Sequence, residues 1–449
     1  MKSYIKEFES MDKPSGYYTE LVGNLESLNT ELNAFNVINK ELKDGLPFSV
    51  KDNLCVKGVE SRASSKILKG YIPPFDATVV SRFKEKGFGF LGKTNMDEFG
   101  FGTFGTNSEK MARNPFDPAY TAGGSSSGAA IATSIMKYHA AIAESTGGSI
   151  SAPAAFCGVV GFTPTYGVIS RHGLIDYSNS LDKIGFMSRS SADTRIMFDA
   201  ARGRDPKDST SLDAEIKNTK YTKLTVINQL MDGVDKDVSD RFEKLLGKLE
   251  QQGFAINRVD LPEISAAIPA YYIISMAEAS TNLARYTGFK YGAKVEDFSL
   301  SYNDFFKQAR TNFGTEAKRR VILGTFVRSA SVRSKYYNKA LKLRAMLIDR
   351  MKRVLADSML ISPTMPVKTP RLDLIEKLTP VQVYSMDVLT ASPNLCGFPH
   401  ISFPYDYADG MPLGVQIVAD HFQDHSLMSF TDKWEESFEY KFKHNLGEL

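Results

Sequence analysis

From Leu46 onward the chain alternates short apolar runs with helical stretches and separates them with glycine turns, and few architectures accept that order. PFSV at 47–50 reads as a strand, Gly58 as a turn, 77–86 as a helix and FGFL at 88–91 as a second strand. Such alternation folds as a sheet with helices packed on it, because each element has an apolar side that must be covered. The pattern continues with a helix over 127–138, a strand over 140–143, and a helix, strand, helix, strand run between 191 and 262. Residues 1–45 read as charged helix, with Tyr18, Leu21, Leu25 and Leu28 at helical spacing. The stretch 263–356 is mainly helical, and MLIS at 359–362, followed by PTMP, opens a last α/β portion. No repeat or low-complexity linker divides the 449 residues, so the expectation is one interleaved domain, 1–449.

Composition removes several function classes. Fifty-five Lys and Arg against fifty-two Asp and Glu leave a formal charge of +3, too little for an electrostatic grip on nucleic acid. Three dispersed cysteines, Cys55, Cys157 and Cys396, form neither a disulfide framework nor a zinc motif, which suggests a reducing cytoplasm. The six histidines, 139, 172, 400, 421, 425 and 444, show no ligand spacing. His421 and His425, the one pair that a helix face could join, read as surface residues, and no metal is expected. The start of the chain mixes charges and no run is long and apolar enough for a bilayer, so no membrane role is expected.

The chemistry concentrates in two small-residue stretches, AGGSSSGA at 122–129 and STGGSI at 145–150, with a lysine upstream in PFSVKDN at 47–53. The first has no Gly-Lys-Ser/Thr ending and follows NPFDP rather than a strand, which argues against a phosphate loop. As a plain feature it is a turn capping a helix. TGGS at 146–149 is open to conformations that aim several backbone N–H groups at one point, as an oxyanion requires, although glycine pairs also make ordinary turns. A serine hydroxyl needs a base to become a nucleophile, and no histidine sits in either stretch. Lys51 is the remaining candidate, because a lysine in a dry site loses its preference for the ammonium form.

These residues together give a resemblance that runs almost end to end: the chain is similar to the amidase signature family, hydrolases with a Ser, cis-Ser, Lys triad. The family's V/I-K-D-N lysine, first G-G-S-S-G-G serine and T-G-G-S-I serine fall here on Lys51, Ser125 and Ser149. The resemblance implies an α/β amidase signature fold, a mixed twisted sheet covered by helices on both faces. It makes 46–190 the catalytic core, 1–45 a helical N-terminal layer and 263–356 the helical part of the substrate side. Ser149 becomes the nucleophile, Ser125, after a cis peptide, the bridge to neutral Lys51, and Thr146, Gly147, Gly148 and Ser149 the oxyanion hole.

Further stretches, AYYIISMAEAS at 270–280, AKRRVILGT at 317–325, YSMD at 384–387 and NLCGFP at 394–399, resemble the A subunits of the glutamyl-tRNA(Gln)/aspartyl-tRNA(Asn) amidotransferases within that family. That resemblance implies free glutamine as substrate, with Asp387 on its ammonium and Arg320 on its carboxylate. Arg319 competes for the second role, and Tyr271 or Tyr272 line the pocket. It also implies B and C subunits as partners, misacylated tRNA bound mainly through B, and ATP and Mg used by the partner rather than by this chain. The alternatives are a free-standing amidase on another small amide and a catalytically weak scaffold of the same complex. Two departures stand out. The family's D-T-G-G-S-I-R reads S-T-G-G-S-I-S here, losing an acid at Ser145 and a base at Ser151 together, and Ser127-Gly128-Ala129 replaces Gly-Gly-Ser. The loss of both charges at once suggests an ion pair in relatives, whose joint removal leaves no charge stranded.

Overall fold

The computed structural model describes residues 2–437 and 449. Eleven strands form one mixed sheet: β1 (Phe35–Ile38), β2 (Leu46–Lys51), β3 (Phe88–Thr94), β4 (Ala140–Ser145), β5 (Val160–Thr163), β6 (Lys183–Ser188), β7 (Lys223–Ile227), β8 (Ala255–Val259), β9 (Met359–Pro363), β10 (His400–Ala408) and β11 (Met411–Val418). Their order is β1-β3-β2-β4-β6-β5-β10-β11-β9-β7-β8. β2 runs parallel to β3 and β4, and β7 parallel to β8 and β9, while the central strands pair antiparallel. Every residue of β2, β4, β5 and β6 is buried, as expected for strands covered on both faces.

Two apolar clusters fill the space on either side of the catalytic half of the sheet. One holds Phe48, Val50, Ile142 and Phe186 against the helix Thr78–Glu85 through Val79, Val80 and Phe83. The other holds Ala141, Ala143 and Met187 against the helix Ser127–Ile135. A third cluster joins the helices Ala267–Asn282 and Tyr337–Val354 to Leu360 and Val418 of the sheet. The expected elements from 46 to 262 and the helical stretch 263–356 appear within a few residues of their expected bounds.

The N-terminal layer requires a correction. Residues 1–45 hold the helices Tyr4–Ser10 and Tyr17–Leu32, the second burying Leu21 and Leu25, but then enter the sheet as edge strand β1, antiparallel to β3. At four residues FNVI is too short to stand out beside the long helical pattern before it. His421 lies ahead of the helix Asp424–Ser437, so only His425 is on it. Their side chains are each 19% exposed rather than free on the surface, His421 stacked on Phe398 and His425 beside Asp199. His444 lies outside the described residues.

Candidate active site

Lys51 ends β2 and points into a dry interior, with 0% exposure. Its Nζ lies 2.8 Å from Ser125 Oγ, 2.8 Å from the Glu144 carbonyl oxygen and 2.9 Å from Glu144 Oε2. Burial pushes the amine below its usual range, while Glu144 beside it pulls the other way. The peptide Gly124–Ser125 is cis. Asp97 cradles this loop: it accepts from the backbone N–H groups of Gly105 and Asn107, and a Cβ on Gly124 would sit 2.0 Å from its Oδ2. Burial raises the Asp97 carboxyl to about 6.

Ser149 follows the turn after β4, and its carbonyl accepts from Ser126 N–H, which ties the two serine stretches together. Of the four oxyanion candidates, Gly148 gives its N–H to Ser145 Oγ at 3.2 Å. Among the described residues the N–H groups of Gly147 and Ser149 make no hydrogen bond and stay available. The Thr146 N–H likewise makes no hydrogen bond among the described residues, while its hydroxyl lies 2.7 Å from Glu144 Oε1 and 2.8 Å from Asp182 Oδ1, behind the lysine. Burial, and then the charge of Glu144, hold the Asp182 carboxyl well above its usual range.

The departures are accommodated only in part, since the buried Ser127 hydroxyl has no hydrogen-bond partner among the described residues. Ser145 also reaches Asn394 Oδ1 at 3.3 Å, whereas the buried Ser151 hydroxyl has no partner. Ser127 starts a helix with its side chain against Gly105, so the extra Cβ needs no glycine conformation, and Ala129 joins the core.

The expected substrate residues gather beside this centre. A cavity of about 360 Å³ is lined by Thr103, Asn107, Glu316, Arg319, Arg320 and Tyr384, among others. Arg320 is 3% exposed; its Nε donates to Glu316 Oε1 at 2.8 Å, Nη1 donates to Tyr177 Oη, and its guanidinium faces the rings of Phe101, Tyr177, Tyr272 and Tyr384. Arg319 also bonds Glu316 but remains about one-third exposed. Asp387 accepts from Tyr272 Oη at 2.5 Å and Thr103 Oγ1 at 3.0 Å, and burial pushes its carboxyl up to about 6. Tyr271 packs on the nucleophile turn so closely that a Cβ on Gly147 would lie 2.3 Å from its ring.

Sequence reasoning passed over Glu144, Asp182, Asp97, Glu316 and Tyr177. Two of them carried a signal. Glu144 is the one acid in the apolar stretch AAIAE, and buried carboxylates are almost always paired. Glu316 precedes Arg319 and Arg320 by three and four residues, the spacing at which helical side chains meet. Among the described residues no group of three potential metal ligands occurs, and no helix is long and apolar enough to cross a membrane.

Lys51 bonded to Ser125 in a dry site, with the Ser149 turn tied to the same loop and a cavity of mixed lining nearby, is an arrangement suited to acyl transfer. The chain matches the family model described as Amidase over residues 5–428, and it belongs to that family. It is 40% identical over 418 residues to the protein named as the A subunit of glutamyl-tRNA(Gln) amidotransferase in Pseudothermotoga lettingae, covering 88% of this chain and 86% of that one. To the protein of the same name in Persephonella marina it is 40% identical over 402 residues, covering 87% and 82%. The crystal structure of the A subunit of glutamyl-tRNA(Gln) amidotransferase from Thermotoga maritima superposes with a TM-score of 0.84 at 31% identity, over 100% of this chain and 98% of that one.

Proposed function

We propose that this chain is the glutamine-hydrolysing subunit of a tRNA-dependent amidotransferase. The observation that carries the reading is the Lys51 Nζ to Ser125 Oγ contact of 2.8 Å, buried beside the Ser149 turn and next to a cavity that presents Arg320. In this reading Ser149 attacks the side-chain amide carbon of glutamine as Ser125 takes its proton and passes one to Lys51. The oxyanion is held by the N–H groups of Gly147 and Ser149. Lys51 returns the proton through Ser125 to the leaving nitrogen, ammonia departs, and water releases glutamate from the acyl-enzyme.

Arg320 is the better candidate than Arg319 for the substrate carboxylate, because it is buried among aromatic rings, where a guanidinium pairs most strongly. Asp387, with Tyr272 beside it, takes the ammonium. The chain acts as one unit in the cytoplasm with B and C partner subunits, of which B binds the misacylated tRNA and uses ATP and Mg. The test is ammonia release from glutamine by the purified assembly, with Ser149→Ala and Lys51→Ala as controls. Equal release by wild type and Ser149→Ala would refute the reading and favour a scaffold role; full activity on glutamine without partner subunits would favour a free-standing amidase.

A further inference from the structure

One buried carboxylate touches the proton relay although the family's three-residue pattern has no place for it. The family's acid belongs at position 145, where this chain has serine, and an acid stands one residue earlier, at Glu144. Successive strand residues face opposite sides, so the one-residue move takes the carboxylate from the Asn394 side of β4 to the Lys51 side. There Glu144 is as deeply buried as the lysine, with side-chain exposures of 1% and 0%.

The hydrogen-bond inventory around Lys51 then poses a problem. Its Nζ has three oxygen neighbours within 2.9 Å, and an ammonium satisfies all three as donor. In that state it has no lone pair for the Ser125 proton. To become a base it must give up a proton, and of its contacts other than Ser125 only the Glu144 carboxylate can take one. Behind Glu144, one Thr146 hydroxyl proton serves two carboxyls at 2.7 and 2.8 Å, so both contacts are hydrogen bonds only if one of the acids is itself protonated. Asn53 Nδ2, 3.1 Å from Glu144 Oε2, fixes the carboxylate plane.

We propose that Glu144 is a positioning residue for the acyl-transfer relay: it takes a proton from Lys51 inside the closed site, which frees the Lys51 lone pair for Ser125. The inference rests on the roles given above to Ser149, Ser125 and Lys51. An N–H bond of Lys51 breaks as an O–H bond forms on Glu144 Oε2, turning a buried ion pair into a buried neutral pair. The amine next takes the Ser125 proton while Ser149 Oγ bonds to the amide carbon, and it later returns that proton through Ser125 when the C–N bond breaks. Glu144 keeps its proton throughout, so none need leave for solvent. The other charged groups facing Lys51 are Asp97 from the loop after β3 and Asp182 from the turn before β6.

The experiment is the pH dependence of kcat for ammonia release at saturating glutamine by the assembled enzyme, wild type against Glu144→Gln and Glu144→Asp. In the Gln variant the Lys51 proton must escape to solvent before the amine can act, so the acidic limb moves to higher pH by about one unit or more, with KM for glutamine unchanged. The Asp variant returns the limb toward its wild-type position. A limb that moves to lower pH means that Glu144 only restrains the base, and an unmoved limb means that it only packs; either result overturns the proposal. If the Gln variant fails to fold, Glu144→Asp carries the test alone: kcat falls at least fivefold with the limb in place, and an unchanged kcat overturns the proposal. Wild type without Ser149-dependent ammonia release would instead bring down the functional reading itself.

Discussion

The relay around Lys51 and the cavity around Arg320 are both buried and both charged, yet they are built by opposite means. Lys51, Glu144 and Asp97 are held at the ends of β2 and β4 and in the loop after β3, where backbone groups complete their hydrogen bonds. Arg320, Glu316, Tyr272 and Asp387 hang from the helices Thr315–Arg328 and Ala267–Asn282 and the turn Met386–Val388, and bind one another through side chains. On the proposed function, the difference separates two tasks. A proton relay works over tenths of an ångström and gains from a rigid sheet, whereas a binding site must exchange its internal partners for those of a substrate.

The largest expected effect breaks the comparison on the sheet side. Ser149→Ala and Lys51→Ala each lower kcat for ammonia release about 10³-fold or more, measured on assemblies that still form. Lys51→Met also strands a buried carboxylate and costs about 3–5 kcal/mol in denaturant unfolding, much of which Lys51→Met/Glu144→Gln restores. Next, on the helix side, Arg320→Lys raises KM for glutamine about 30- to 100-fold with a smaller change in kcat, because an ammonium cannot replace a two-pronged guanidinium. A comparable loss in kcat alone would move Arg320 into the chemistry and blur the two regions.

Asp387 gives a smaller and pH-dependent effect. Its carboxyl is raised to about 6 by burial, so it is charged above that pH and neutral below it. The ammonium of glutamine therefore loses its partner as pH falls through about 6, and KM rises by up to tenfold per pH unit there; Asp387→Asn flattens this rise. The smallest effect belongs to Arg319→Ala, whose partly exposed side chain predicts a KM change of about threefold or less.

The same contrast explains what could be read from the chain alone. Lys51, Ser125 and Ser149 were legible as candidates because serines without a histidine need another base, but each stretch alone also reads as a plain turn or strand, and the resemblance was needed to join them; the alternation from Leu46 onward placed the sheet around them. Arg320 and Asp387 were found only through resemblance, since a charge on a helix looks the same whether it is solvated or buried. Glu144 escaped because it replaces a familiar acid one position away, where only the pleat of the folded strand reveals that it faces the lysine. β1 escaped because its pairing to β3 is decided by a partner more than fifty residues away.

The contact between Gly147 and the Tyr271 ring joins the first third of the chain to its second half. Because no room remains for even a methyl group at 147, the two positions cannot drift separately. Any descendant that acquires alanine at 147 must first surrender the tyrosine at 271 for something smaller. Room beside the nucleophile turn is therefore gained by shortening Tyr271, and changes to this contact should begin with that helix and leave the turn as it is.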